Sequence, residues 1–144
     1  MALDSRMTLV TLGVADVAAS TAFYQRLGFR RSSASNDDVT FFHMNGTVLG
    51  LFGHEALAAD ADLEPGPAPA FRGVSLAHNL GSREEVDAAW AFAVECGAKP
   101  VKKPEEVFWG GYSGYFADPD GHLWELAHNP LAPLDENGHM VLPE

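Results

Sequence analysis

Gly110-Gly-Tyr-Ser-Gly-Tyr-Phe-Ala-Asp-Pro-Asp-Gly-His-Leu-Trp-Glu125 is the stretch on which the reading of the fold turns. Its Asp118-Pro-Asp-Gly121 segment joins a proline that presets one turn dihedral to a glycine that takes a left-handed one. The residues on either side then read as a hairpin, Gly111 to Ala117 against His122 to Ala127. In the second arm Glu125 alternates with Trp124 and Leu126, so if those two pack on a helix the carboxylate points the other way.

Working outward, Lys99 to Phe108 mixes basic and acidic residues and reads as a loop. Ser82-Arg-Glu-Glu85 is a capping box, opening a helix through Val86, Ala89, Trp90, Ala93 and Val94 to Gly97. Phe71 to His78 reads as the strand before it. The first half has the same order. Met7 to Val14 is an apolar, partly β-branched strand, Asp16 caps a short helix from Val17 to Leu27, and Gly28 stops it. Val39 to Met44 and Thr47 to Phe52 flank Asn45-Gly46, a strong hairpin signal. Superposing Gly46 on Gly121 and Gly28 on Gly97 aligns the halves. The chain is therefore expected to hold two βαβββ modules, 7–52 and 71–130. A linker over 53–70, with three prolines, joins them, and a tail without period follows from 131 to 144.

The 144 residues suffice for one domain with its own core, and 47% hydrophobic with 20% charged residues is a globular composition. Nine basic against twenty acidic side chains give a net charge of -11, which repels phosphate backbones and anionic lipid. Neither nucleic acid nor membrane is an expected partner. The single cysteine, Cys96, excludes an internal disulfide and any multi-thiolate metal site, and it suits a reducing cytoplasm. No apolar run nears the roughly 20 residues that span a bilayer, and Met1-Ala-Leu-Asp-Ser-Arg6 lacks the apolar stretch of a signal peptide. A cytoplasmic location is expected.

Val14-Ala-Asp-Val17, Ala22-Phe-Tyr24 and Leu27-Gly-Phe29, together with the Gly110 to Glu125 hairpin, resemble the vicinal oxygen chelate superfamily. That is the group of glyoxalases, bleomycin-resistance proteins and extradiol dioxygenases. The likeness runs from Met7 to Pro130 and implies an α+β fold whose two βαβββ modules form a cup-shaped mixed sheet, usually in a homodimer. Because such folds host lyases, dioxygenases, isomerases, thiol transferases and drug binders, it implies fold more than activity. Metal-binding members place one ligand, typically His or Glu, on the first and the last strand of each module. Carried over one at a time, these positions fall on Leu9, Gly50, Gly73 and Glu125, and a one-residue slip replaces Gly73 by Arg72 or Val74. Only Glu125 can coordinate, so no resident metal and no cofactor is expected.

Glu125 is read as a ligand anchor or catalytic base, or else as an inherited carboxylate bonded to a neighbouring tyrosine or amide. Counting from Asn45-Gly46 pairs His43 with Val48 and Phe41 with Gly50, so Phe41 and His43 share the Gly50 face. There His43 is either a displaced partner of Glu125 or a hydrogen-bonded wall residue. Phe108, Trp109 and Tyr112 surround Gly110-Gly111 and read as a binding lid or as a hydrophobic plug. His54, His78, His122, His128 and His139 show no paired metal-ligand spacing, and Lys102 and Lys103 read as solvated charges. These features point to a metal-free protein binding a planar neutral or cationic small molecule through Phe41, His43, Gly50, Trp109, Tyr112 and Glu125. The alternatives are a metal-dependent or Glu125-dependent lyase, isomerase or dioxygenase, and a dimeric interaction module with a vestigial cup.

Overall fold

Residues 1–144 are described by a computed structural model in which one order of elements occurs twice. The first run is β1 (Leu9–Val14), α1 (Val17–Arg26), β2 (Arg30–Arg31), β3 (Val39–His43) and β4 (Val48–Gly53). After α2 (His54–Asp60) come β5 (Ser75–Asn79), α3 (Arg83–Glu95), β6 (Lys99–Glu106), β7 (Tyr112–Ala117) and β8 (Leu123–His128). The fold is α+β, with two βαβββ modules and two four-stranded mixed sheets, ordered β1-β4-β3-β2 and β5-β8-β7-β6. The chain divides into the units Met1–Ala68 and Pro69–Glu144.

In the first unit Asp16 caps α1, its side chain accepting the Ala19 amide at 3.0 Å. The helix buries Phe23 and Tyr24 against Phe42, Leu49 and Leu51 of the sheet, all almost fully inaccessible. The rings of Tyr24 and Phe42 lie 5.9 Å apart, and each such burial is worth about 2 kcal/mol. β1 runs parallel to β4, as a strand–helix–strand crossover demands, while β3 and β4 form the antiparallel hairpin about Asn45-Gly46.

The second unit repeats this with different side chains. The Ser82 hydroxyl accepts the Glu85 amide at 3.2 Å, and the Glu85 carboxylate reaches back to the Gly81 amide at 2.8 Å, which closes a capping box. Val86 and Ala93 of α3 are buried, as are Phe116, Trp124 and Leu126 of the sheet. Phe116 and Trp124 stack at 6.2 Å, and the Trp90 indole donates to the Tyr115 carbonyl at 3.0 Å.

Three expectations change. Lys99 to Glu106 is a strand, not a loop: β6 pairs antiparallel with β7 across register shifts at Pro100/Lys102 and Lys102/Glu105. As the outermost strand it tolerates Pro100 and Pro104, because a ladder is needed on one side only and the irregularities absorb the missing donors. The strand expected from Phe71 begins at Ser75 instead. Gly73 takes a left-handed φ of 72°, incompatible with a strand, and Arg72 turns away to donate to the Asp120 carbonyl at 2.6 Å. Finally, the segment read as linker opens with the helix α2, which packs on β1 and β4 and has no fully buried residue. His54 at its start hydrogen-bonds the carbonyls of Pro65 and Gly66, holding the later part of the segment against it. In the tail, Leu134 and Met140 form an isolated antiparallel bridge.

Candidate functional site

Because residues paired across neighbouring strands share a face, the register sorts each sheet into rows. In the first module Thr21 of α1 meets Thr40 at 2.8 Å, which places Thr40, Phe42, Leu49 and Leu51 on the helix side. The opposite face carries the row Leu9, Val48, His43 and the row Thr11, Gly50, Phe41. A Cβ at Gly50 would lie 3.2 Å from the Thr11 hydroxyl, 3.5 Å from Leu9 and 3.7 Å from Phe41, so these side chains close over the glycine. Phe41 is half-buried there and His43 is exposed.

In the second module Tyr112 reaches Asp87 of α3 at 2.6 Å, which marks the helix side. By alternation the opposite face carries the row Ser75, Leu123, Ala117 and the row Ala77, Glu125, Tyr115. The two modules thus correspond row by row. Gly50 and Glu125 are equivalent, as are Phe41 and Tyr115, Thr11 and Ala77, and Leu9 and Ser75. This corrects the third carried-over position. The counterpart of Leu9 is Ser75, two residues before the partner of Glu125 on β5, and not Gly73, which lies outside the strand.

Glu125 is half-buried, and its Oε2 accepts the Tyr115 hydroxyl at 3.0 Å. Burial first, and the hydrogen bond to Glu125 second, push the Tyr115 phenol above the ordinary tyrosine range. Ser75 and Ala77 beside the pair are exposed, so this part of the face is accessible. Tyr115 went unnoticed in the sequence. Counting back from a turn over Asp118 to Gly121 pairs it with Trp124; in the structure Asp118 itself faces His122, which shifts the register by one residue and sets Tyr115 opposite Glu125.

The structure separates the remaining candidates. Tyr112 is not beside Glu125: its hydroxyl binds Asp87 and the Arg83 guanidinium lies 5.2 Å from its ring centre, both on the α3 side. The hydrogen bond to Asp87, then burial, raises the Tyr112 pKa, and Arg83 in turn is raised chiefly by its bond to Glu106. Trp109 folds back over its own hairpin at Gly111, and Phe108 beside it is fully exposed. Lys102 pairs with Glu105 at 3.1 Å on exposed β6.

A grouping of possible metal-binding atoms, from Asp118, Asp120 and His122, spans no more than 4.8 Å. Its buried member is already engaged. Asp118 Oδ1 accepts the amides of Asp120 and His122, and Oδ2 meets His122 Nδ1 at 2.7 Å, so the group is the interior of a hairpin turn. For the family's metal, the first module offers Leu9 and Gly50, which have no donor atom, and the second offers Ser75 and Glu125. A zinc-type ion needs three or more nitrogen, sulfur or carboxylate ligands, so these residues do not fit one.

Repeated βαβββ modules, each with one helix-covered face and one face bearing the family's ligand positions, define an α+β protein of the glyoxalase type. The chain belongs to the Glyoxalase/Bleomycin resistance protein/Dioxygenase superfamily, whose family model matches residues 6–126. Among solved structures it is similar to a glyoxalase-related enzyme from Fulvimarina pelagi, at 30% identity and a TM-score of 0.86 over 97% of this chain and 99% of that one. It is also similar to a glyoxalase/bleomycin resistance protein/dioxygenase from Nocardioides, at 25% identity and a TM-score of 0.76 over 89% and 85% of the two chains. Lactoylglutathione lyase from Agrobacterium tumefaciens, at 20% identity and a TM-score of 0.65 over 88% and 95%, shares the fold. None of the curated proteins matches the chain. No helix is long and apolar enough to cross a membrane.

Proposed function

We propose that this superfamily member binds a small molecule without a resident metal, preferring planar compounds that are neutral or positively charged. One observation carries the reading: of the four positions where relatives hold a metal, Leu9, Gly50 and Ser75 offer no suitable ligand and only Glu125 does. Support for the guest's character comes from the net charge of -11, which favours cations over anions, and from the accessible carboxylate. A homodimer in the cytoplasm completes the proposal, in keeping with the superfamily's habit of pairing modules and with a lone cysteine.

Metal analysis of protein purified without a histidine tag tests the first half. Zinc, nickel, iron and manganese should each fall well below one equivalent, and Glu125→Gln should leave the content unchanged. One tightly held transition metal per chain, lost in Glu125→Gln, would establish the metal enzyme instead. A thermal-shift panel of planar compounds tests the second half, since a guest at 100 times its Kd stabilises by about 2.7 kcal/mol. A second reading, in which Glu125 acts as a general base in an isomerase or lyase, is favoured by the 30% identity to a chain described as an enzyme. Turnover lost in Glu125→Gln with binding retained would select it.

A further inference from the structure

The two oxygens of Glu125 stand in different situations. Oε2 accepts the Tyr115 hydroxyl at 3.0 Å, whereas Oε1 takes no hydrogen bond from the protein. Beyond Tyr115 the row continues to Lys102 of β6, whose ammonium is paired with Glu105 at 3.1 Å, so no second carboxylate on the row competes for a cationic guest. Ala77 on one side is apolar, and Ser75, one row along, carries only a neutral hydroxyl. Burial and the bond to Glu125 keep the Tyr115 proton on its phenol, so the ring remains a donor to Oε2 at neutral pH.

This asymmetry decides which cations fit. An amidinium or guanidinium binds a carboxylate as a fork, through two parallel N–H bonds, one to each oxygen. Tyr115 already stands at hydrogen-bond distance on one of the two. An ammonium or a protonated ring nitrogen needs a single acceptor and can take Oε1 alone. Resting on the binding function proposed above, we propose that Tyr115 sets the specificity of Glu125: by drawing on one lone pair of Oε2 it leaves Oε1 the stronger acceptor, so the carboxylate favours single N–H cations over forked ones that must load both oxygens. Tyr115 is thus a positioning residue that acts through Glu125.

Benzylamine and benzamidine test this, since both carry a cationic group on a phenyl ring and differ in its geometry; benzyl alcohol is the neutral control. Titration calorimetry should show the intact protein binding benzylamine about tenfold more tightly than benzamidine, the worth of one charge-assisted hydrogen bond. Tyr115→Phe keeps the ring and frees Oε2, and it should bring the two affinities together by strengthening benzamidine. Glu125→Gln should weaken benzylamine about tenfold and leave benzyl alcohol little changed. In carbon NMR the Tyr115 phenol should shift when benzylamine binds, and that shift should vanish in Glu125→Gln.

A purely structural role for Tyr115 predicts that Tyr115→Phe weakens both cations by the same factor, and that result overturns the proposal. Equal affinities in the intact protein also overturn it. If neutral planar compounds bind while neither cation does, the binding function stands and this specificity falls. If no compound of any class binds, both fall.

Discussion

The indole of Trp109 lies so close over Gly111 that a Cβ there would stand 1.7 Å from one ring carbon and 2.0 Å from the next. No side chain fits under the ring, so Gly111→Ala must expel the indole or bend the hairpin. Overpacking of this kind costs about 1–3 kcal/mol, which thermal denaturation will read. The emission of Trp109 should shift to the red as the ring enters water. Restored stability in the double variant Gly111→Ala with Trp109→Ala would trace the cost to this contact.

Asp118 is fully buried and is the acceptor at the centre of the second hairpin, taking amides at 3.0 and 2.8 Å and the His122 ring at 2.7 Å. Asp118→Ala strands three donors and should cost about 3 kcal/mol in chemical denaturation. His122→Ala removes one donor and leaves the amides satisfied, so about 1 kcal/mol is expected. Equal costs would mean that the imidazole, not the amide pair, holds the turn.

The hydroxyl of Thr21 donates to the Val17 carbonyl at 2.6 Å, and its proton is then spent. In the 2.8 Å contact with Thr40, Thr40 must therefore be the donor. Both residues are buried. Thr21→Val leaves the Thr40 hydroxyl without an acceptor, while Thr40→Val leaves Thr21 bonded to Val17. Thr21→Val should be the more damaging by about 1 kcal/mol, and the double variant should cost less than the two single costs added. Denaturant midpoints of the three variants measure this.

The Tyr115 phenol is raised above its ordinary value of 10.0 by burial and by Glu125. An acid whose pKa is higher in the folded state binds more protons there than in the unfolded chain. Its contribution to stability is complete below pH 10.0 and is lost as pH rises through the folded value. Tyr115→Phe should therefore flatten the fall of melting temperature on the alkaline side. In an absorbance titration it should remove a phenolate transition lying above the normal tyrosine range. A Tyr115 transition at or below that range would contradict the hydrogen bond to Glu125.

Much of the repeat was legible because its signals are local. Asp16 and Ser82 start helices through bonds to amides three residues on, and the register of the first hairpin follows by counting from Asn45-Gly46. That counting placed Phe41 opposite Gly50. Applied to the second hairpin with Asp118 to Gly121 as the turn, it pairs Tyr115 with Trp124, one residue out of register; the structure sets Asp118 opposite His122, which brings Tyr115 opposite Glu125 and puts Tyr112, three residues earlier, on the other face.

Amino-acid sequence by itself determined the two modules, the helix caps and the hairpin turns, since each rests on residues within a turn or two along the chain. Only the tertiary structure decided what depends on distant partners. Lys99 to Glu106 becomes a strand because β7 lies beside it, against the preference of its prolines. Ser75 rather than Gly73 faces the Glu125 row because the parallel register of β5 on β8 is set across α3, with no turn to count from. Tyr112 and Asp87 meet only once α3 has packed on its sheet. A β-strand's ladder and a parallel register are contracts with residues far away in sequence, and they are settled when the layers pack.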